Sequence, residues 1–183
     1  MSIERALAGK SSPLFLTRMA AFIAVAVVLG YLLAPIPNVE LVTATCFAAG
    51  VCLGATGGLV VGAMGEFLFA GLHPMGSSIG ILLLAQMLGM ALAGFVGGKV
   101  SSLLTGFQGF ASRRILFGLG AILTFLFDLL TNLAYPLQAG FSLSQTTAVL
   151  AAGIGFAAIH IASNALVFAL VLPPVLARLK KMT

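Results

Sequence analysis

Few side chains in this chain can do chemistry, and most of those are carboxyls and amides. Asn38 and Glu40 stand in a proline-stiffened corner, Pro35-Ile-Pro-Asn-Val-Glu-Leu-Val-Thr43, between two long apolar runs. Glu66, Gln86, Asp128, Asn132, His160 and Asn164 each interrupt an apolar run, and His73 precedes Pro74 in a short polar stretch. A charged side chain in hydrocarbon costs about 2.5–3.5 kcal/mol or more unless it faces a cavity or a partner. Three acids and several amides at similar depth therefore predict a polar cavity with an opening, its candidate lining being Asn38, Glu40, Glu66, His73, Gln86, Asp128 and Asn132.

Each residue also has a plainer role. Glu40 fits a helix-start acid, which the helix dipole favours. Glu66 and Asp128 have no basic residue at their expected depth in the membrane. They are either protonated and bonded between helices or in contact with a ligand, and the ligand is favoured. Gln86 and Asn132 fit interhelical hydrogen bonding equally well. His160 reads as a satisfied packing histidine, Asn164 as structural, and His73 as a turn residue in a loop placed to act as a lid. The chain has no Walker-type phosphate loop, no His-Glu-x-x-His zinc motif and no Gly-x-Ser-x-Gly elbow. No enzymatic activity, cofactor or metal is expected.

The elements that hold these residues follow from composition. Of 183 residues, 61% are hydrophobic and 7% charged, and the mean hydropathy is +1.19. Soluble domains carry about 25% charged residues, so the chain reads as an all-α integral membrane protein, with a single domain over residues 1–183. The net charge of +5 comes from basic residues at helix ends, a membrane-orientation pattern rather than a nucleic-acid surface. Cys46 and Cys52 share one apolar run at a spacing poorly suited to a disulfide. No removable signal peptide is expected before the first apolar run.

Six spans are expected, over about 16–34, 41–55, 59–72, 79–98, 115–134 and 147–172. The second and third are short, separated by Thr56-Gly57-Gly58, and a span normally needs about 20 residues. Charge decides how they count. With six spans and the amino terminus inside, Arg5, Lys10, Arg18, Lys99, Arg113, Arg114, Arg178, Lys180 and Lys181 all fall on the cytoplasmic side. Joining the short pieces into one span would place three inside and six outside. Both termini are therefore expected in the cytoplasm, with Pro35–Glu40, His73–Ser78 and Tyr135–Thr146 as outer loops.

Several stretches carry a resemblance: Pro37-Asn-Val-Glu-Leu-Val-Thr43 after a small-residue first helix, the glycine-rich second and third helices, Ala85-Gln-Met-Leu-Gly-Met-Ala91 and Phe127-Asp-Leu-Leu-Thr-Asn132. Over nearly its whole length the chain resembles a substrate-binding S component of an energy-coupling factor (ECF) vitamin transporter. The resemblance implies a six-helix subunit of the prokaryotic cytoplasmic membrane without ATPase activity of its own. It would bind a vitamin or precursor near the outer face and dock on a membrane scaffold subunit served by two cytoplasmic ATPases. Ala20 and Ala24 match the small-residue docking pattern of helix one.

No Arg or Lys lies on the expected outer side, which argues against ligands held through a carboxylate or phosphate. Cobalamin, thiamine or a pyrimidine precursor fits better. Some cobalamin S components use a membrane cysteine as a cobalt ligand; Cys46 or His73 would be the counterpart here, although packing is the preferred role for the cysteine. The start Met-Ser-Ile-Glu lacks the Met-His of nickel and cobalt S components. The alternatives are a structural membrane protein of cell-envelope assembly and a small proton-coupled carrier.

Overall fold

A computed structural model describes residues 12–106 and 110–179. Arg5, Lys10, Lys180 and Lys181, counted above for orientation, lie outside the described residues. All described secondary structure is helical: α1 Pro13–Leu33, α2 Val42–Gly71, α3 Gly80–Gly106, α4 Phe110–Ala139 and α5 Leu143–Leu166. A π-helical stretch, Val167–Val171, then leads into α6, Leu172–Leu179. Five helical stretches are long and apolar enough to cross a membrane, the last running from Leu143 to Leu179. Together they make this a multi-pass membrane protein.

The second stretch is not straight. Gly54 has φ 80° and ψ 171°, outside helical geometry and in a region essentially confined to glycine. In an unbroken helix Gly50 and Gly58 would lie about 12 Å apart along the axis. Instead, a Cβ added at Gly58 would stand 2.5 Å from the Gly50 Cα. The chain therefore folds back at Gly54 into two arms, 42–53 and 55–71. The break falls just before Thr56-Gly57-Gly58, where the sequence places it. Those glycines serve close packing instead: Gly58 lies against the backbones of Gly50 and Gly94, and Gly57 against the Phe15 ring.

Glycine sets how closely these elements approach. A Cβ at Gly50, Gly58 or Gly94 would run into backbone atoms across the contact, so the arms of α2 meet α3 backbone to backbone. Paired contacts give the directions. Along the second arm, Gly57, Gly65 and Phe69 meet Phe15, Ala26 and Gly30 of α1, so the two run parallel. Gly58 and Gly62 meet Gly94 and Met90, so α3 runs antiparallel to that arm. Gly89 meets Phe127, while Gly80 meets Gln138; Gly120 meets Phe168, while Asp128 meets His160. Hence α4 is antiparallel to both α3 and α5. The core includes Phe47 and Phe168, edge to face at 5.1 Å.

This register brings the turns 34–41, 72–79 and 140–142 to one end of the bundle. The described basic residues Arg18, Lys99, Arg113, Arg114 and Arg178 sit towards the other. Helix ends differ from expectation in three places. The loop expected over Tyr135–Gln145 is mostly helix, because α4 continues through a buried Pro136 to Ala139. Gly140, at φ 69°, then closes it, with Phe141 N–H donating to Pro136 O (3.0 Å) and Gly140 N–H to Leu137 O (3.3 Å). Ser142 caps α5 at once, in a capping box with Gln145. The connector expected over Lys99–Arg114 is helical to Gly106 and again from Phe110. Pro173 and Pro174 do not end the last span but lie at the start of α6, directly after the π-helical stretch.

Candidate functional site

Glu40 occupies the hub of the turn end. The chain reaches it through a tight corner in which Asn38 adopts φ 61°, a left-handed conformation that asparagine tolerates. One Glu40 oxygen, Oε2, accepts from the Thr43 backbone N–H at 2.9 Å and so caps the start of α2. The other, Oε1, accepts from Asn164 Nδ2 at 2.6 Å. Burial pushes the Glu40 carboxyl up, but hydrogen bonding to His160 and Thr43 outweighs it and leaves the group below its ordinary value.

His160 extends this hub to a second helix. Its Nδ1 lies 2.8 Å from Asp128 Oδ1, and its Nε2 lies 3.2 Å from Asn164 Nδ2 and 3.8 Å from Glu40 Oε1. Asp128 on α4, His160 and Asn164 on α5, and Glu40 before α2 thus form one chain of polar contacts. Helical spacing explains half of it: residues four apart share a face, which puts His160 and Asn164 side by side. The other half is tertiary, since Asp128 and Glu40 lie far away in sequence.

A pocket of about 270 Å³ opens beside this chain, and Asn38, Glu40, His73 and His160 line it. Phe69 also lines it. The Tyr31, Phe69 and His73 rings pack on one another with centroids 5.2–5.6 Å apart. Tyr31 O–H donates to Leu68 O at 3.2 Å, and His73 Nδ1 accepts from Met75 N–H at 3.2 Å. The second bond leaves Nε2 of a neutral His73 to carry the proton.

Buried oxygens of Glu66, Gln86, Asp128 and Asn164 have no hydrogen-bond partner among the described residues. Glu66 is 1% exposed and Asn164 fully buried. The Thr124 hydroxyl is likewise buried without a partner, and an unpaired buried polar atom costs about 1–3 kcal/mol. The four carboxyl and amide oxygens are acceptors when the acids are ionised.

Of the seven residues expected to line a cavity, Asn38, Glu40 and His73 share the pocket wall, and Asp128 reaches it through His160. Glu66 and Gln86 present unpartnered oxygens in the interior without lining the pocket. Asn132 is half-buried one turn beyond Asp128 and joins none of these contacts. Sequence reasoning sets His160 and Asn164 aside as packing and structural residues. Both are hydrogen-bonded, yet they stand at the centre of the cluster. The available signal is a His and an Asn four apart in an apolar run, where polar groups are costly. The aromatic group Tyr31–Phe69–His73 also escapes sequence reasoning.

Elsewhere, an apolar groove of about 470 Å³ runs between α1, the first arm of α2 and the C-terminal helical end, with Arg18 at its rim. Cys52 lines it, whereas Cys46 is buried in the core, and neither forms a disulfide. Among the described residues, no cluster of three or more His, Cys, Asp or Glu is placed to hold a metal ion. On α1, Ala20 and Ala24 point outward, while Ala26 and Gly30 are buried against α2. Comparison with protein-family models, curated proteins and solved structures found no match.

Proposed function

We propose that this chain is the substrate-capturing subunit of an ECF-type importer, taking up a vitamin or vitamin precursor that is not strongly anionic. It sits in the cytoplasmic membrane of a prokaryote with six crossings, the two arms of α2 counting separately, and both termini inside. The basic residues at the end opposite the turns support that orientation.

One observation carries the functional reading. The pocket at the turn end is lined by Asn38, Glu40, His73 and His160, and Asp128 and Asn164, which bond to those lining residues, each keep a buried oxygen without a partner. A purely structural membrane protein gains nothing from unpaired oxygens in its interior. The chain has no phosphate loop, so ATP hydrolysis belongs to partner subunits: a membrane scaffold and two cytoplasmic ATPases. The outward-facing Ala20 and Ala24 form the close-packing face for the scaffold.

A thermal-shift screen of the purified chain in detergent, against B vitamins and their precursors and without ATP, tests this. At least one compound raises the melting temperature. Stabilisation by none of them would overturn the proposal in favour of a structural role.

A further inference from the structure

The pocket wall and the buried acceptors describe a ligand more narrowly than "vitamin". Size is the first restriction. A volume of about 270 Å³ lies at or below the small end of ligand pockets, about 300–1,000 Å³. That volume matches a molecule of one or two small rings more closely than a corrinoid.

Shape is the second. Phe69 and His73 line the pocket and Tyr31 packs behind them, with His73 edge-on to both other rings. Tyr31 and His73 are each anchored by a hydrogen bond to backbone. A fixed aromatic wall suits a flat ring and attracts positive charge to its faces.

Hydrogen bonding is the third. Each Glu40 oxygen already accepts one bond, from Thr43 or Asn164, and a carboxylate has about four acceptor positions. Glu40, which lines the pocket, therefore keeps acceptor capacity to spare. Asn164, fully buried and bonded to the lining residues Glu40 and His160, has a free Oδ1. The pocket-lining Glu40 carboxylate calls for N–H donors. His73, also in the pocket wall, offers an Nε2–H donor when neutral, which matches a single ring nitrogen. No Lys or Arg lines the pocket to hold an anion.

We propose that the pocket takes a small nitrogen heteroaromatic with an exocyclic amine and a positive charge, stacked on the Phe69 face with its edge towards His73 and its amine on Glu40. This rests on the reading of the chain as a ligand-capturing subunit. Glu40 is the specificity-determining group, because it alone combines negative charge, a place in the pocket wall and free acceptor positions.

Calorimetric titration of the full-length chain in detergent tests this with two probes. Thiamine carries an aminopyrimidine and a cationic second ring. Oxythiamine keeps the cation but replaces the amine with a carbonyl oxygen. Thiamine binds at least tenfold more tightly, Glu40→Gln reduces that preference, and Phe69→Leu weakens both probes alike. The Phe69→Leu variant and the wild-type preference decide the matter even if Glu40→Gln fails to fold. Equal or tighter binding of oxythiamine overturns the proposal. So does binding of riboflavin, biotin or cobalamin without thiamine, although the importer reading then survives. If no vitamin binds, both fall.

Discussion

His160 Nδ1 lies 2.8 Å from Asp128 Oδ1, and this contact ties α4 to α5 at the level where Glu40 and Asn164 meet. It is a side-chain hydrogen bond between residues 32 apart in the chain. Exchanging Asp128 for asparagine keeps the shape and removes the charge. A double-mutant cycle of Asp128→Asn with His160→Asn, followed by unfolding in detergent, is expected to give a coupling energy of about 0.5–3 kcal/mol. Strict additivity would mean that the pair is adjacent without interacting.

The fold-back at Gly54 makes a separate claim about backbone. A Cβ at Gly54 meets nothing within 4 Å, but its φ of 80° is strained for any L-residue. Gly54→Ala is therefore expected to destabilise by about 1–3 kcal/mol despite the open space. An unchanged unfolding midpoint would show that the two arms of α2 do not turn on this residue.

Gly50→Ala fails for a different reason, because its new methyl group would run into the Gly94 carbonyl and the backbone of α3. Backbone cannot move aside as a side chain does, so the loss should exceed the ~1–3 kcal/mol usual for overpacking. Gly118, on α4, has open space around its Cβ position. Gly118→Ala should be neutral or stabilising by up to ~1 kcal/mol. Equal stability of the two variants, read by thermal unfolding, would refute the close contact.

These glycines also mark how far the sequence could be read. Pro35, Pro37 and Pro74 announce the turns at 34–41 and 72–79, and the polar residues near them announce a site. Glycine identity does not distinguish a turn from a close contact. Gly54 turns the chain, whereas Gly57 and Gly58 only pack, although all three interrupt the same run. Pro136 and Pro173 look like stops but lie within helix, because α4 closes at Gly140 and a π-helical stretch precedes α6. At the site, Asn38, Glu40 and His73 are legible from their place in polar loops. The pairing of Asp128 with His160, and of Glu40 with Asn164, depends on packing between helices distant in sequence. That is why His160 and Asn164 look merely structural in the sequence.

Orientation has its own test. In a background with Cys46→Ala and Cys52→Ala, cysteines at Ser77 and Ser144 should react with a membrane-impermeant maleimide added to intact cells. A cysteine at Arg113 should react only after permeabilisation. All three positions are on exposed surface. The reverse labelling pattern would invert the proposed topology.

Ala20 and Ala24 separate assembly from capture. Both face outward from α1 and touch none of the pocket. Ala20→Leu and Ala24→Leu should leave stability and ligand binding within about 0.5 kcal/mol of wild type, as surface substitutions do. Co-purification with the scaffold and ATPases, and uptake in cells, should be lost. Intact complexes with the enlarged side chains would remove α1 from the docking face.

Capture of a small molecule at the turn end is the central claim, and native mass spectrometry reads it directly. The chain is incubated with a mixture of B vitamins and their precursors, then released from detergent in the spectrometer. One added mass per chain is expected, equal to one compound of the mixture and strongly reduced in Glu40→Gln. A spectrum containing only the bare chain and lipid adducts, identical in wild type and variant, would contradict it.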